Sequence, residues 1–126
     1  MPNPSPCPLC STDNALLVNS LAYVRLDKNP VTPGHSLIIP PGHKPDFLAV
    51  RREEIKAIWT LVGEATVLLD GKFHPGGYNL GVNIDEVAGR TMGHAHLQLI
   101  PRYLGDLENP RGGVRGVIPV RQQYEP

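Results

Sequence analysis

The spacing of apolar residues in the middle of the chain predicts one long helix. From about Val50 to Leu69, apolar side chains recur at intervals of three and four residues, at Ile55, Ile58, Val62, Ala65 and Leu69. This spacing places them in one stripe along a helix. The charged residues of the same segment fall largely outside the stripe. We therefore predict an amphipathic helix that packs one face against a core.

Shorter segments with β-branched, aromatic or alternating apolar residues predict strands on both sides of this helix. Residues 16–26 favour one or two strands, and residues 35–40 favour a short buried strand stopped by two prolines. Further strands are predicted at 78–84 and 94–101, with 114–120 as a candidate final strand. Four or five strands with one main helix indicate an α+β domain.

Length and turn-forming residues favour a single domain. The 126 residues are enough for one substantial core. Fourteen prolines and thirteen glycines interrupt the chain, but they mark neither a domain boundary nor a repeat. We expect one domain over 1–126, with a Pro-rich N-terminal arm over 1–15 and a mostly irregular segment over 103–126.

Charge and hydropathy argue against nucleic-acid and membrane partners. Twelve basic and twelve acidic residues cancel, so no global field attracts the chain to nucleic acid or to an anionic membrane. No apolar run approaches the length of a membrane span. The first residues lack the basic start and apolar block of a signal peptide. We expect a cytoplasmic protein, in which a local site can still bind a small phosphorylated ligand.

Polar residues within the predicted strand at 94–101 introduce the first candidate chemistry. His94, His96 and Gln98 occupy alternate positions, and apolar residues lie between them. In an extended chain, alternate side chains point to the same face, which places both imidazoles and the amide together. A half-buried strand more often carries Thr, Lys or Ser on its solvent face. The pattern therefore indicates a functional site.

Two separated motifs resemble the histidine triad (HIT) superfamily of nucleotide hydrolases and transferases. The signature of that family is His-φ-His-φ-His-φ-φ, where φ is apolar. Residues 94–100 match it, except that Gln98 takes the place of the third histidine. The upstream Pro-Gly-His landmark, followed by an apolar strand, is met by residues 33–35. Together the matches span about residues 27–102. The glutamine at the third position makes the motif similar to that of the transferase branch of the superfamily.

The resemblance implies a fold, a reaction and an oligomeric state. The fold is a HIT-like α+β fold, with an antiparallel sheet of about five strands and the main helix packed on one face. The reaction is hydrolysis or nucleotidyl transfer at the α-phosphate of a dinucleoside polyphosphate or a similar nucleotide conjugate, and an adenine nucleotide is the expected substrate. Members of the family usually form two-fold dimers. A homodimer is therefore expected, with the long helix and a strand edge at its interface.

The resemblance also assigns catalytic roles. His96, the middle histidine, would attack the α-phosphorus and form a covalent nucleotidyl-imidazole, a task that suits a neutral imidazole near pH 7. Gln98 can donate and accept hydrogen bonds but cannot transfer a proton. It would hold a phosphate oxygen and favour leaving groups that carry their own stable charge. His35 would support the triad or the phosphate, and a purely structural role is equally open.

Five further residues are expected to bind the substrate. Asp27 matches the position of a ribose-hydroxyl ligand in the family, although an aspartate here can also simply start a turn. The loop before the motif supplies Asn83, Gly89, Arg90 and Thr91. The glycine would let the backbone approach a phosphate, and the threonine would offer its hydroxyl. The arginine would neutralise phosphate charge or point to water.

The two cysteines of the chain suggest a metal site. Cys7 and Cys10 have the two-residue gap typical of zinc knuckles, but one pair is half of a site. In some members of the resembled family two histidines complete the set, and the matching residues here are His43 and His94, with His35 as an alternative to His43. Zinc bound there would be structural and would hold the N-terminal arm beside the active strand. A redox pair is disfavoured, because no strand precedes the cysteines and no helix pattern follows them.

Two other functions stay open on the sequence alone. The first is a nucleotide-binding, zinc-stabilised interaction protein with little turnover, which the missing third histidine allows. The second is a metallohydrolase that uses His94 and His96 as catalytic ligands. Such a site would require nearby carboxylates, whereas this motif offers Gln98.

Overall fold

The computed structural model describes residues 7–125 as an antiparallel sheet with one long helix. The helix is α1 (Arg52–Phe73), and the strands are β1 (Leu17–Val18), β2 (Tyr23–Leu26), β3 (Ser36–Ile39), β4 (Gly77–Gly81) and β5 (Leu97–Arg102). The strand order is β1-β2-β3-β5-β4, and every neighbouring pair is antiparallel. The prediction of an α+β fold with about five strands and one main helix is confirmed.

Helix α1 packs on the sheet through the apolar stripe that its sequence predicts. The buried apolar positions are Ile58, Leu61, Val62, Ala65 and Leu69, and they form the main core with apolar side chains of β2, β3 and β5. Ile55 is 38% exposed, because it lies at the edge of this stripe on a helix of 3.6 residues per turn. Neither α1 nor any shorter helix in the described part of the chain is long and apolar enough to cross a membrane.

The other face of the sheet carries a smaller apolar cluster. Alternation along β2 and β3 brings Tyr23, Leu37 and Ile39 to this face, and Leu9 covers them. The side chain of Leu9 is 1% exposed. The N-terminal arm is therefore packed against the sheet from residue 7 onward, on the side away from α1. Residues 1–6 of the predicted arm lie outside the described residues.

The strand that carries the histidine motif begins later than predicted. It starts at Leu97 rather than at residue 94. The amide of Ala95 donates to the carbonyl oxygen of Lys44 at 2.7 Å, so this residue bonds to the loop after β3 instead of continuing the ladder. His94 and His96 consequently precede β5, and Gln98 lies within it.

The candidate final strand at 114–120 is not a strand. The segment forms two short 3-10 helices, Gly113–Val117 and Pro119–Arg121. Gly112 and Gly113 adopt φ values of 90° and 52°, a left-handed conformation that bends the chain. Pro119 has no amide hydrogen for a ladder. These residues explain why the predicted strand does not form.

Candidate active site and metal centre

A cavity of about 390 Å³ brings together five of the predicted site residues. They are Asp27, His35, Thr91, His96 and Gln98. Asp27 directly follows β2 and His35 directly precedes β3. Thr91 and His96 belong to the segment before β5, and Gln98 lies within that strand. The cavity is therefore built where three neighbouring strands place polar side chains together.

His96 presents one ring nitrogen to this cavity. Its Nδ1 lies 2.8 Å from the carbonyl oxygen of His94, and because a carbonyl only accepts, Nδ1 carries the hydrogen and donates it. The neutral ring then keeps its lone pair on Nε2. The side chain is half-buried and lines the cavity. Nε2 is therefore the nitrogen that can attack a bound electrophile.

The backbone determines the tautomer of His35. The amide of Val31 donates to Nδ1 at 3.1 Å, so the hydrogen of the neutral ring is on Nε2. Nε2 lies 3.1 Å from Oε1 of Gln98 and 3.6 Å from a carboxylate oxygen of Asp27. The amide oxygen of Gln98 accepts the hydrogen bond from Nε2–H, and the carboxylate of Asp27, which is too far for a hydrogen bond, favours the same tautomer through its charge. The buried ring of His35 therefore contacts Val31, Gln98 and Asp27.

This contact also determines the orientation of the Gln98 amide. Because Nε2–H of His35 donates, the atom that receives it is the carbonyl oxygen of Gln98, and the amide nitrogen is directed elsewhere. Gln98 lines the cavity together with His96. The amide therefore offers a ligand hydrogen-bond donors without a transferable proton. Such donors suit a phosphate oxygen on which charge accumulates.

Three predicted substrate-binding residues do not line the cavity: Asn83, Gly89 and Arg90. Nη1 of Arg90 donates instead to the carbonyl oxygen of Pro45 at 3.1 Å. Gly89 has a φ of 98° at the end of a short 3-10 helix, a conformation that favours glycine. Of the four predicted residues in the loop before the motif, Thr91 lines the cavity. The roles assigned to the other three stay predictions.

The cavity also holds two cationic residues that the sequence patterns did not predict. Arg25 and Lys28 line it beside Asp27. Nη1 of Arg25 donates to the carbonyl oxygen of Pro8 at 3.1 Å, which fixes the guanidinium at the cavity wall. Arg25 and Asp27 are two residues apart at the end of β2, so alternation places both on one face. This spacing was the signal that could have revealed the arginine.

The four predicted metal ligands lie together. One donor atom from each of Cys7, Cys10, His43 and His94 lies within 4.8 Å of the others. Nδ1 of His94 is 3.3 Å from Sγ of Cys7 and 3.5 Å from Sγ of Cys10. Nδ1 of His43 is 3.3 Å from Sγ of Cys10. Tetrahedral zinc, with bonds of about 2.0–2.3 Å, sets its donor atoms about 3.5 Å apart, so these residues can hold the ion.

The chemistry of the donor atoms also fits a metal. Nε2 of His94 donates to the carbonyl oxygen of Pro40 at 2.7 Å, which leaves the lone pair of Nδ1 directed at the cysteines. Burial lowers the pKa of His94 despite the opposing effect of that carbonyl, and the nearby His43 and His96 rings lower it further, so the neutral ring is favoured. Desolvation, followed by the neighbouring Cys7 thiol, raises the pKa of Cys10. A bound cation would favour the thiolate and oppose this shift.

The structure assigns the two motif histidines to different sites. His94 directs its ring to the cysteines, whereas His96 directs its ring to the cavity and is not part of the metal-ligand set. His35 bonds to Gln98 and is also outside that set. A metallohydrolase would need both motif rings on one metal ion, and this geometry does not support it.

Comparisons with known proteins find relatives along most of the chain. The HIT domain family model matches residues 10–105. An uncharacterized 16.1 kDa HIT-like protein of Mycoplasma pneumoniae is 34% identical over 85 residues, which are 68% of this chain and 59% of that protein. The bis(5'-adenosyl)-triphosphatase of Dictyostelium discoideum is 28% identical over 89 residues, which are 71% of this chain and 60% of that protein. The chain thus spans about three fifths of the length of these two relatives.

Solved structures share the fold. A HIT family protein from Bacillus anthracis has a TM-score of 0.74 and 33% sequence identity, with 82% of this chain and 78% of that chain covered. A zinc-bound histidine triad family protein from Mycobacterium smegmatis has a TM-score of 0.72 and 26% identity, with 82% and 77% covered. The likeness therefore extends beyond the histidine motif to most of the sheet and the helix.

Proposed function

The chain belongs to the HIT domain family, and from that premise we propose that it is a nucleotide-binding hydrolase or nucleotidyltransferase that acts through a covalent nucleotidyl-His96 intermediate. The orientation of His96 carries this proposal. Its Nδ1 donates to the carbonyl oxygen of His94, and its Nε2 is left for a cavity that also holds cations and amide donors. The proposed substrate is a dinucleoside polyphosphate or a similar conjugate of an adenine nucleotide. The name of the Dictyostelium relative, a bis(5'-adenosyl)-triphosphatase, supports this choice.

The reaction has two steps. Nε2 of His96 attacks the α-phosphorus, a phosphorus–nitrogen bond forms, and the bond to the bridging oxygen breaks with its electron pair on the departing phosphate. The ring becomes cationic, and its Nδ1–H bond to the carbonyl oxygen of His94 stabilises that charge. Water or another acceptor such as phosphate then attacks the phosphorus. Its proton passes to solvent, and the electron pair of the phosphorus–nitrogen bond returns to Nε2.

The surrounding residues divide the remaining tasks. Asp27 would accept hydrogen bonds from ribose hydroxyls, and Arg25 and Lys28 would attract the phosphates. Gln98 would donate to a non-bridging oxygen of the α-phosphate as its charge grows. Because this amide cannot protonate a departing oxygen, the preferred leaving group is one that is stable as an anion. A nucleoside polyphosphate meets that condition.

We also propose that Cys7, Cys10, His43 and His94 hold a structural zinc ion. The spacing of their donor atoms supports this assignment, as does the zinc-bound relative from Mycobacterium smegmatis. Four protein ligands complete a tetrahedral zinc site and leave no position for substrate. When bound, the ion would connect the N-terminal arm, the loop after β3 and the segment before β5.

We further propose that two copies of the chain form a homodimer through α1. Trp59 and Val67 project from this helix with 65% and 73% of their surface exposed. Strand β4 is the last strand in the sheet order and lies at its edge. Large exposed apolar side chains on one helix are typical of an interface between proteins.

The deciding experiment is intact-protein mass spectrometry after mixing with diadenosine polyphosphates, nucleoside phosphoramidates and nucleotide sugars in turn. Acid is avoided because a phosphoimidazole is labile in acid. We expect an added nucleotidyl mass on the native protein and none on His96→Ala, whose turnover should fall about a thousandfold or more. The matched control is His74→Asn. His74 is exposed at the end of α1 in a left-handed conformation that asparagine tolerates.

The same experiment separates the alternatives. The absence of an adduct with every donor, together with unchanged turnover in His96→Ala, would contradict the assignment of the nucleophile. Tight nucleotide binding without turnover would favour a zinc-stabilised nucleotide-binding interaction protein. The inability of Gln98 to transfer a proton makes this the second candidate function.

A further inference from the structure

We propose that the turn between the two cysteines forms one wall of the nucleotide cavity, so that metal binding sets the affinity for nucleotide but is not needed to orient His96. This turn, Cys7–Cys10, is called the CPLC turn below. The inference rests on the proposed nucleotide-binding function, and it adds a second role to residues that would otherwise only stabilise the fold.

The CPLC turn contributes two residues to the cavity lining. Pro8 and Leu9 line it together with His96 and Gln98. Leu9 also packs on Leu37 of β3, which itself lines the cavity. The two leucines are almost completely buried, and they support the exposed Pro8, which gives an apolar surface to a cavity whose other side chains are mostly polar. Such a surface suits the flat face or the edge of a nucleotide base.

Two hydrogen bonds attach the backbone of the CPLC turn to β2. The hydroxyl of Tyr23 donates to the carbonyl oxygen of Leu9 at 2.5 Å, and Nη1 of Arg25 donates to the carbonyl oxygen of Pro8 at 3.1 Å. Arg25 lines the cavity, so the turn also positions a cation that a phosphate would meet. Displacement of the turn would remove the apolar wall and release this cation together.

Two of the four metal ligands flank the wall residues in the sequence. Pro8 and Leu9 lie between Cys7 and Cys10, so a bound ion would hold the turn at both of its ends. Ordering a short irregular segment costs conformational entropy, and metal binding can offset that cost. Without the ion, the turn keeps the packing of Leu9, its bonds to β2 and the weaker contacts of the two thiols with the rings of His94 and His43. We therefore expect the wall to be less completely formed in the metal-free protein.

The orientation of His96 has supports that do not involve the metal. The ring of His94 stays bonded to the carbonyl oxygen of Pro40 at 2.7 Å, and the amide of Ala95 stays bonded to Lys44 at 2.7 Å. These bonds hold the His94 carbonyl that receives Nδ1–H of His96. Removal of the ion should consequently weaken nucleotide binding and raise KM, while kcat changes little.

The test uses the reciprocity of coupled binding. If the ion raises the affinity for nucleotide by some factor, nucleotide must raise the affinity for the ion by the same factor. Calorimetry measures the Kd of AMP, GMP, CMP and UMP with zinc-loaded and zinc-free protein. Competition with a chelator measures the Kd of zinc with and without the nucleotide that binds best. We expect about a tenfold shift in each measurement, and neither readout depends on turnover.

A variant of the wall tests the same idea with the metal site intact. Leu9→Ala keeps all four ligands, so it should bind one zinc ion per chain and yet bind nucleotide more weakly, by about tenfold. Leu9→Met conserves volume and should recover most of the nucleotide affinity that Leu9→Ala loses. The matched control is Val120→Ala, at a residue that is 90% exposed and does not line the cavity.

Each outcome has a stated meaning. Equal nucleotide affinity with and without zinc and in Leu9→Ala would overturn the inference, as would a chain that takes up no zinc. A fall in kcat at constant KM would also overturn it, because the ion would then act through His94 on His96. If the chain unfolds without zinc, the nucleotide affinity of zinc-loaded Leu9→Ala decides whether the inference holds. If the zinc-loaded protein binds no nucleotide, the proposed function fails, whereas binding without coupling contradicts only the role of the CPLC turn.

Discussion

At the scale of single residues, the chemistry of the site depends on which nitrogen of each histidine carries the hydrogen. Backbone groups decide this in all three cases: the carbonyl of His94 for His96, the amide of Val31 for His35, and the carbonyl of Pro40 for His94. The identities of the histidines were visible in the sequence. Their tautomers were not visible, because the contacts of His35 with Val31 and of His94 with Pro40 are set only by the fold.

Gln98→Glu tests the orientation that His35 gives to the amide. Glutamate keeps the size of the side chain and still accepts the hydrogen bond from Nε2 of His35. It has no N–H donor, and its negative charge repels a phosphate. We expect kcat/KM to fall about a hundredfold or more, with an unchanged circular dichroism spectrum. Steady-state kinetics with a diadenosine polyphosphate measures the effect.

Gln98→His is the matched comparison. An imidazole can donate and can also transfer a proton near neutral pH, so this variant should keep its turnover and process poorer leaving groups faster. Native rates in Gln98→Glu would show that the amide donors do not contact the transition state. The orientation derived from His35 would then have no catalytic consequence.

At the scale of elements, β5 connects the site to the C-terminal segment. Arg102 ends this strand, and its Nε and Nη2 donate to the two carboxylate oxygens of Asp106 at 2.8 Å each. Its Nη1 donates to Oδ1 of Asn79 in β4 at 2.6 Å. These bonds hold the turn after β5, and the guanidinium lowers the pKa of Asp106 to about 2.

Asp106→Asn should destabilise the protein in a pH-dependent manner. The ordinary pKa of this carboxyl is 3.8 and the folded value is about 2. The stabilisation that the ionised Asp106 gives to the folded protein is therefore complete above about pH 4, and it is lost as the pH falls through about 2. We expect a lower Tm than the native protein at pH 5–7 and a difference that disappears toward pH 2. Thermal unfolding followed by circular dichroism measures it, with Glu64→Gln on the exposed side of α1 as the control. A difference independent of pH would contradict the ion pair.

Local patterns predicted the elements whose structure is decided locally. The stripe from Ile58 to Leu69 defined α1, and the apolar run at 35–40 defined β3. The segment 114–120 also carries strand-like apolar residues. The left-handed Gly112 and Gly113 and the missing amide hydrogen of Pro119 prevent a strand there. Arg115 then holds the turns by donating to the carbonyl oxygens of Gln122 and Arg121, and the spacing of apolar residues gives no sign of these contacts.

The same distinction applies to the site. The histidine motif and the CxxC pair are short patterns, so the sequence alone pointed to His96 and Gln98 in the cavity and to Cys7, Cys10 and His94 in the metal-ligand set. Arg25 and Leu9 escaped, because their place in the cavity depends on contact between the N-terminal arm and β2. These residues are far apart in sequence, and each alone reads as an ordinary strand or core residue.

At the scale of the whole molecule, the two faces of the sheet have different tasks. One face packs on α1 and forms the main core. The other carries the cavity and is covered in part by the N-terminal arm. The site is therefore built on a sheet whose opposite face packs against the main core. Such packing keeps the sheet rigid, as is needed for groups that contact a phosphorus atom in a defined geometry.

The exposed side of α1 supports the last prediction. If two copies pair through this helix, Trp59→Glu places a charge in an apolar interface, where burial without a partner is costly. Light scattering after size-exclusion chromatography should give twice the mass of one chain for the native protein and for the control Leu104→Glu, whose exposed site lies outside α1. Trp59→Glu should give the mass of one chain, and a monomeric native protein would contradict the dimer. His96 and Gln98 of one chain line the same cavity, so we expect the monomeric variant to form the nucleotidyl adduct, which would separate assembly from chemistry.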